Sequence, residues 1–274
     1  MNVPDMPLVA NARMYSATAT ARADWKTLLA WVLERAGLDW LVIDYDAPAP
    51  LSALWAREDL GLAMMCGLPF SQREPRPTLI AAPVPSPARY GGRPAYFTDI
   101  VVRADARYER LEDTFGGVVG YTLADSMSGG VALRDHLAPY RAAHGSRLFR
   151  HAVGHLIHAR GVIEALAAGT IDVGPLDSYY HDLLRRHEPD FARQVRTIAS
   201  TVARPIPPLV ATAALSADEL ARLRDALQAS TRAPALHDVT ERLLLAGFDV
   251  PDPADYDVLA RIALRDDLPT FEEL

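Results

Sequence analysis

The chain has 274 residues, 50% of them hydrophobic and 23% charged, with 16 glycines and 21 prolines. This globular composition excludes a disordered, collagenous or disulfide-stapled chain, and the length suits one large domain or two modest ones. With 28 basic against 35 acidic residues, a net charge of −7 and Lys26 as the only lysine, no basic stripe is available for nucleic acid or an anionic membrane surface.

Cys66 is the only cysteine, so no internal disulfide is available and the redox compartment stays open. No apolar run approaches the ~20 residues that cross a bilayer. Residues 1–7 lack the basic start and apolar stretch of a secretory signal. The expected location is the periplasm if an export segment lies outside this sequence, and the cytoplasm otherwise.

Residues 8–12 read as a short buried strand, followed by a turn at Met14-Tyr15-Ser16. A helix comes next, with Trp25, Leu28, Leu29, Val32, Leu33 and Ala36 on one face and Gly37 placed to end it. Strands at 40–45 and 60–66 flank a short helix at 51–57; Pro48 and Pro50 precede that helix, and Gly67 and Pro69 close the later strand. This alternation predicts a parallel sheet with covering helices. Further strands are expected at 78–84 and 96–103.

A second copy of the same logic follows. It runs through a helical turn at 111–113, a strand at 117–122, a loop at 124–130 and a helix through Leu133 and Leu137. A strand at 148–153, a helix at 158–168 ended by Gly169, a strand at 171–174 and a helix at 178–186 complete it. A strand at 194–200 and a proline-rich crossing at 205–210 lead to a capping box, Ser216-Ala217-Asp218-Glu219, which starts a helix through Leu220, Leu223 and Leu227. Two more helices are expected, at 234–246 and 253–266. The crossings at 96–103 and 203–210 predict two lobes joined twice: residues 1–100 plus 205–274, and residues 101–204. A ligand between such lobes meets loops at the carboxyl ends of strands.

Ser126, Met127, Ser128, Gly129 and Gly130 precede a helix, where free amides, the positive end of the dipole and hydroxyl groups together suit an anion. A plain helix cap is the alternative. Met14 and Tyr15 follow the first strand and Met65 and Cys66 the third, which places them toward a cleft. Cys66 reads as pocket wall, since no base or cation neighbours it in sequence. Tyr96 suits either a pocket or strand packing, and Arg13 either an anion or the surface. Asp177 and Ser178 end a strand; the carboxylate fits an amino group of a ligand or the cap of the next helix, with Tyr179 and Tyr180 nearby. His151, His155 and His158 lack a zinc-binding pattern, and no metal is expected. His158, with His155 as the competing choice, fits an oxyanion donor or a cap.

Five segments carry a resemblance: 96–103 (Tyr-Phe-Thr-Asp-Ile-Val-Val-Arg), 111–117 (Leu-Glu-Asp-Thr-Phe-Gly-Gly), 125–129 (Asp-Ser-Met-Ser-Gly), 169–174 (Gly-Thr-Ile-Asp-Val-Gly) and Asp177-Ser178. In this order and spacing, across residues 8–248, the chain resembles the substrate-binding proteins of ABC importers for phosphonate, phosphite and phosphate. These form a branch of the type 2 periplasmic-binding-protein fold. The resemblance implies an α/β fold of two lobes with a ligand cleft between them. It implies a small oxyanion as ligand, an ABC permease as partner, no cofactor and no catalysis. The corresponding family loop holds phosphonate oxygens; here it is Ser126, Met127, Ser128 and Gly129, with Met127 where a hydroxyl residue often stands. Tyr96 resembles a pocket tyrosine of relatives; the remaining candidate contacts, read from their places at strand and helix ends, are Met14, Tyr15, Met65, Cys66, His158, Asp177 and Ser178, and a monomer is expected. Two other classes stay open on the residues. One is a cytoplasmic enzyme on the same fold, acting on a small anionic metabolite through His158 with Asp177 or Cys66. The other is a cytoplasmic ligand sensor.

Overall fold

The computed structural model describes residues 7–46 and 49–274, so the readings of residues 1–6 and of Pro48 lie outside the described residues. β1 (Val9–Asn11) is wholly buried and passes through a 3-10 turn (Arg13–Tyr15) into α1 (Ala19–Ala36). The Thr18 side chain caps α1 by accepting from the Ala21 amide, and Gly37 ends it at φ 64°, a left-handed value open to glycine without strain. β2 (Leu41–Val42), α2 (Leu51–Trp55), β3 (Leu60–Met64), α3 (Gly67–Gln72) and β4 (Thr78–Pro85) follow. Gly67 and Pro69 do not close a strand as expected; both lie in the first turn of α3, where the missing proline N–H has no intrahelical partner to lose.

The run at 96–103 divides at Phe97 into β5 (Ala95–Tyr96) and β6 (Thr98–Arg103). β7 (Val118–Gly120) leads to a π-helical turn (Met127–Val131) and α4 (Ala132–His144). β8 (His151–Val153), α5 (Ala159–Ala167), β9 (Gly174–Asp177), α6 (Ser178–His187), α7 (Pro189–Ala192) and β10 (Val195–Ser200) come next. The strand expected at 171–174 is displaced to β9: Ile171 and Val173 are buried, yet only Val173 forms a bridge, to Val119. Backbone bonds to β7 are made there, from the Asp172 amide to the Val118 carbonyl and from the Gly120 amide to the Val173 carbonyl, each at 2.8 Å, but they stop at that single bridge. The strand expected from 148 starts only at His151, because the amides of Leu148 and Phe149 bond the carbonyl of Leu274 instead of a neighbouring strand.

β11 (Arg204–Pro205), β12 (Leu209–Ala211), α8 (Ala217–Ser230), α9 (His237–Arg242), β13 (Leu245–Asp249) and α10 (Asp257–Ala263) complete the chain. The predicted capping box is formed, with Ser216 and Glu219 satisfying each other's amides. The helix expected over 234–246 stops at Arg242. Leu244 takes φ 54° and turns the chain, and β13 then pairs antiparallel with β4, Phe248 opposite Pro83.

The chain divides into two compact units: Met1–Ala95 with Pro205–Asp255, and Tyr96–Arg204 with Tyr256–Leu274. Residues 96–100 and all of 205–274 are expected in the first lobe, but 96–100 fall in the second unit with the rest of β6. The closing segment belongs instead to the second unit, because Phe271 and Leu274 enter that unit's core beside Leu148, Phe149, Leu133 and Val119.

The first unit is built on a sheet of order β13-β4-β12-β3-β1-β2. β1 runs parallel to β2 and β3 as the alternation predicted, while β12 lies antiparallel between β3 and β4. The apolar face of α1, Trp25, Leu28, Leu29 and Val32, is fully buried. Arg242 of α9 forks onto Asp24 of α1 at 2.6 and 2.9 Å. The second unit has an antiparallel sheet, β10-β6-β9, and a parallel pair, β7-β8. Both units are thus α/β, with antiparallel strands alongside the expected parallel ones.

Candidate functional site

In the first unit, parallel pairing of β1 with β3 (Asn11 opposite Ala63) brings the segments after both strands to the carboxyl edge of the sheet, the edge at which open α/β sheets hold ligands. Asn11 fixes the first segment: its side chain accepts from the Arg13 amide at 2.8 Å and donates to the Ile43 carbonyl at 2.8 Å. Met14 is half-buried and Tyr15 is buried. Arg13 is neither a free cation nor a plain surface residue. Its guanidinium lies over the Tyr45 ring, 5.4 Å from the centroid, and donates to the Ala49 carbonyl. Met65 is fully buried, with its amide bonded to the Pro208 carbonyl at 3.0 Å. Cys66 is half-buried and starts α3 without a side-chain cap bond.

In the second unit, β7 and β8 run parallel, and the Val119–Val173 bridge continues the parallel alignment toward β9. Three segments therefore leave strands at one end: the turn at 126–131, the loop at 154–158, and Asp177 with Ser178. The Ser126 hydroxyl oxygen accepts from the Gly129 amide at 3.3 Å. The amides of Met127 and Ser128 open the helical turn and have no intrahelical acceptor. The Ser128 hydroxyl has no hydrogen-bond partner among the described residues, and the Met127 side chain is buried. The glycines serve packing. A Cβ on Gly129 would sit 1.7 Å from Thr122 Oγ1, and one on Gly130 would sit 2.4 Å from the Leu123 carbonyl oxygen.

His158 and Asp177 both take the capping roles that the sequence allowed. His158 Nδ1 accepts from the Gly161 amide at 3.2 Å, at the start of α5. In a neutral ring that bond leaves the proton on Nε2, whose N–H remains a donor. Asp177 accepts from the amides of Tyr179 and Tyr180, each at 3.0 Å. Ser178 is fully buried and exchanges two bonds with Phe97: its hydroxyl oxygen accepts from the Phe97 amide at 3.1 Å, and its own amide donates to the Phe97 carbonyl at 2.9 Å. The Tyr180 hydroxyl is raised above its usual range by burial, against the pull of Arg160. Tyr96 is buried in β5. His155 is exposed at φ 59°, 6.4 Å from the Tyr121 ring, and His151 is exposed on β8. These two histidines and His158 stand on a strand, a loop and a helix cap rather than on one helical face.

Sequence reasoning passed over Thr98, Asp99 and His181, which are buried at 1%, 0% and 0% exposure. The Thr98 hydroxyl donates to the Ser128 carbonyl at 2.9 Å. Asp99 accepts from the Ser200 hydroxyl at 3.0 Å and lies 2.9 Å from His181 Nδ1. The signal was present: two polar residues embedded in the apolar run 96–103 need buried partners.

Residues 14–256 match the family described as ABC transporter, phosphonate, periplasmic substrate-binding protein. No curated protein sequence matches the chain. Among solved structures, the fold is similar to a binding-protein component of an ABC phosphonate transporter from Pseudomonas aeruginosa, with TM-score 0.73, 17% identity, and 94% of this chain and 86% of that one covered. It is also similar to a Prochlorococcus marinus protein solved with methylphosphonate, with TM-score 0.71, 14% identity, and coverage of 93% and 96%. A Xanthomonas citri protein bound to chloride superposes with TM-score 0.65, 21% identity, and coverage of 93% and 95%. At these identities the structural likeness establishes the fold, the type 2 periplasmic-binding-protein architecture.

Proposed function

The chain belongs to the periplasmic substrate-binding proteins of phosphonate ABC transporters, and from that membership we propose that it captures a small oxyanion, a phosphonate or a phosphate-like group, on the turn at 126–129. The observation that carries this reading is the set of donors left over there. The Met127 and Ser128 amides and the Ser128 hydroxyl are unengaged, and Ser126 accepts a bond that leaves its own hydrogen free. Together with the helix dipole, these donors match an anion with several oxygens. His158, its tautomer fixed by the cap, adds an Nε2–H donor from the neighbouring segment.

The reading is a carrier rather than an enzyme. The His158 Nδ1 and the Asp177 carboxylate, nominated as an acid–base pair, are both occupied by backbone amides. Asp177 suits an amino substituent only at the expense of its cap. The protein works in the periplasm as a monomer and hands its ligand to an ABC permease.

Calorimetry against inorganic phosphate, phosphite, methylphosphonate, an aminoalkylphosphonate, sulfate and acetate tests the proposal. Saturable one-to-one binding of a phosphorus oxyanion is expected; no heat with any phosphorus compound rejects it.

A further inference from the structure

Thr98 is the first residue of β6, and its hydroxyl is spent on the carbonyl of Ser128 at 2.9 Å. That carbonyl shares a peptide plane with the Gly129 N–H, and a trans peptide points the two groups in opposite directions. Pulling the Ser128 oxygen toward β6 therefore turns the Gly129 N–H toward Ser126 Oγ, where the 3.3 Å bond is found. The result is a relay: the Thr98 hydroxyl to the Ser128 carbonyl, then the Gly129 amide to the Ser126 oxygen, each bond polarising the next. Its last member keeps a hydroxyl hydrogen for an acceptor outside the protein.

Thr98 is itself held on both sides. Its amide donates to Thr201 Oγ1 at 3.0 Å, and its carbonyl accepts from the Thr201 amide at 2.9 Å. The preceding residue, Phe97, makes the two bonds to Ser178 that fix the start of α6, and the following residue, Asp99, holds His181 of the same helix. Alternation along the strand sends the side chains of Thr98 and Asp99 to opposite faces of the sheet. Three consecutive residues thus anchor both the 126–129 turn and the 177–178 corner.

We infer that Thr98 is a positioning residue for the anion-binding turn, setting the direction of the Ser126 hydroxyl through the Ser128–Gly129 peptide. This rests on the proposal that the turn receives the ligand's oxyanion.

The test compares wild type, Thr98→Val and Thr98→Ser by calorimetry with phosphate, phosphite and methylphosphonate, and by NMR exchange of the Gly129 amide. Valine keeps the shape and deletes the hydroxyl, whereas serine keeps the hydroxyl. Thr98→Val is expected to weaken binding about tenfold and to speed Gly129 exchange, with Thr98→Ser within about twofold of wild type in both. Wild-type affinity in Thr98→Val, or an equal loss in both variants, overturns the inference. If wild type binds none of the three probes, the ligand proposal falls by itself. Exchange then decides the relay: faster Gly129 exchange in valine alone sustains it, and unchanged exchange overturns it.

Discussion

His181 Nδ1 lies 2.9 Å from Asp99 Oδ2, and both side chains are wholly withdrawn from solvent. A carboxylate only accepts, so Nδ1 carries the proton, while the opposite nitrogen, Nε2, is buried without a partner among the described residues. Protonating Nε2 would bury an unpaired N–H. Burial accordingly holds the His181 pKa below its ordinary value of 6.5, against the opposing pull of Asp99 and Asp182 and with Arg185 adding to the depression.

The first prediction follows from that shift. The unfolded chain protonates His181 near its ordinary value, before the folded chain does, so stability falls as pH drops below about 6.5 and is flat in this group above it. The slope reaches at most ~1.4 kcal/mol per pH unit. Melting temperatures from pH 5 to 8 are expected to drop on the acid side in wild type. His181→Asn, which keeps a donor toward Asp99 without a titrating ring, is expected to lose that share of the slope.

A second prediction concerns the turn. Gly129→Ala drives a methyl group into Thr122 Oγ1, and the turn must shift. A cost of about 1–3 kcal/mol is expected, with weaker phosphonate binding. Adding Thr122→Ala recovers part of both, because the nearest obstacle is the Thr122 hydroxyl. Calorimetry and urea denaturation read the two effects; no recovery in the double variant refutes the steric account.

The donors of the turn can be separated in a third experiment. Ser128→Ala removes an unengaged hydroxyl and is expected to weaken binding about ten- to a hundredfold, the size of a hydrogen bond to a charged group, with an unchanged melting temperature. Ser126→Ala also removes the acceptor of the Gly129 amide and is expected to lose about 1 kcal/mol of stability besides. His158→Asn keeps a capping oxygen for Gly161 and loses the Nε2–H; binding falls while the melting temperature holds.

The fourth prediction is local. Phe271 stacks on Tyr121 at 3.7 Å and 6°, and Arg134 lies over its ring at 5.6 Å. Phe271→Ala is expected to cost about 3–5 kcal/mol. All four tryptophans, Trp25, Trp31, Trp40 and Trp55, belong to the first unit. Hydrogen exchange across 118–153 should therefore accelerate at denaturant concentrations where tryptophan fluorescence is still native. Loss of both signals together refutes the assignment of the tail to the second unit.

Much of this was legible in the residues. The spacing from Trp25 to Ala36, Gly37 at its end, and the Ser216–Glu219 box follow local rules that the fold leaves intact. Local rules failed where a distant partner decided the outcome. β13 is a strand because β4 offers an edge, and residues 148–149 are not because Leu274 occupies their amides. At the site, capping chemistry around Ser126, His158 and Asp177 was readable from residue type. The relay through Thr98 was not, since 30 residues separate its partners. The quoted resemblance segments turn out to be partly architectural: Asp172 accepts from the Val118 amide at 2.7 Å and from the Tyr108 hydroxyl at 3.1 Å, and Asp113 closes its own helical turn.

The sheet order carries a consequence for biosynthesis. β12, from residues 209–211, is threaded between β3 and β4, and the second unit takes in Phe271 and Leu274. As the polypeptide leaves the ribosome, β3 and β4 emerge long before the strand that separates them. Both run antiparallel to β12 and so parallel to each other, and their facing backbone edges stay unpaired until β12 enters between them. The first unit is therefore completed only after the whole of 96–204 has been made, and the second only once Phe271 and Leu274 are in place.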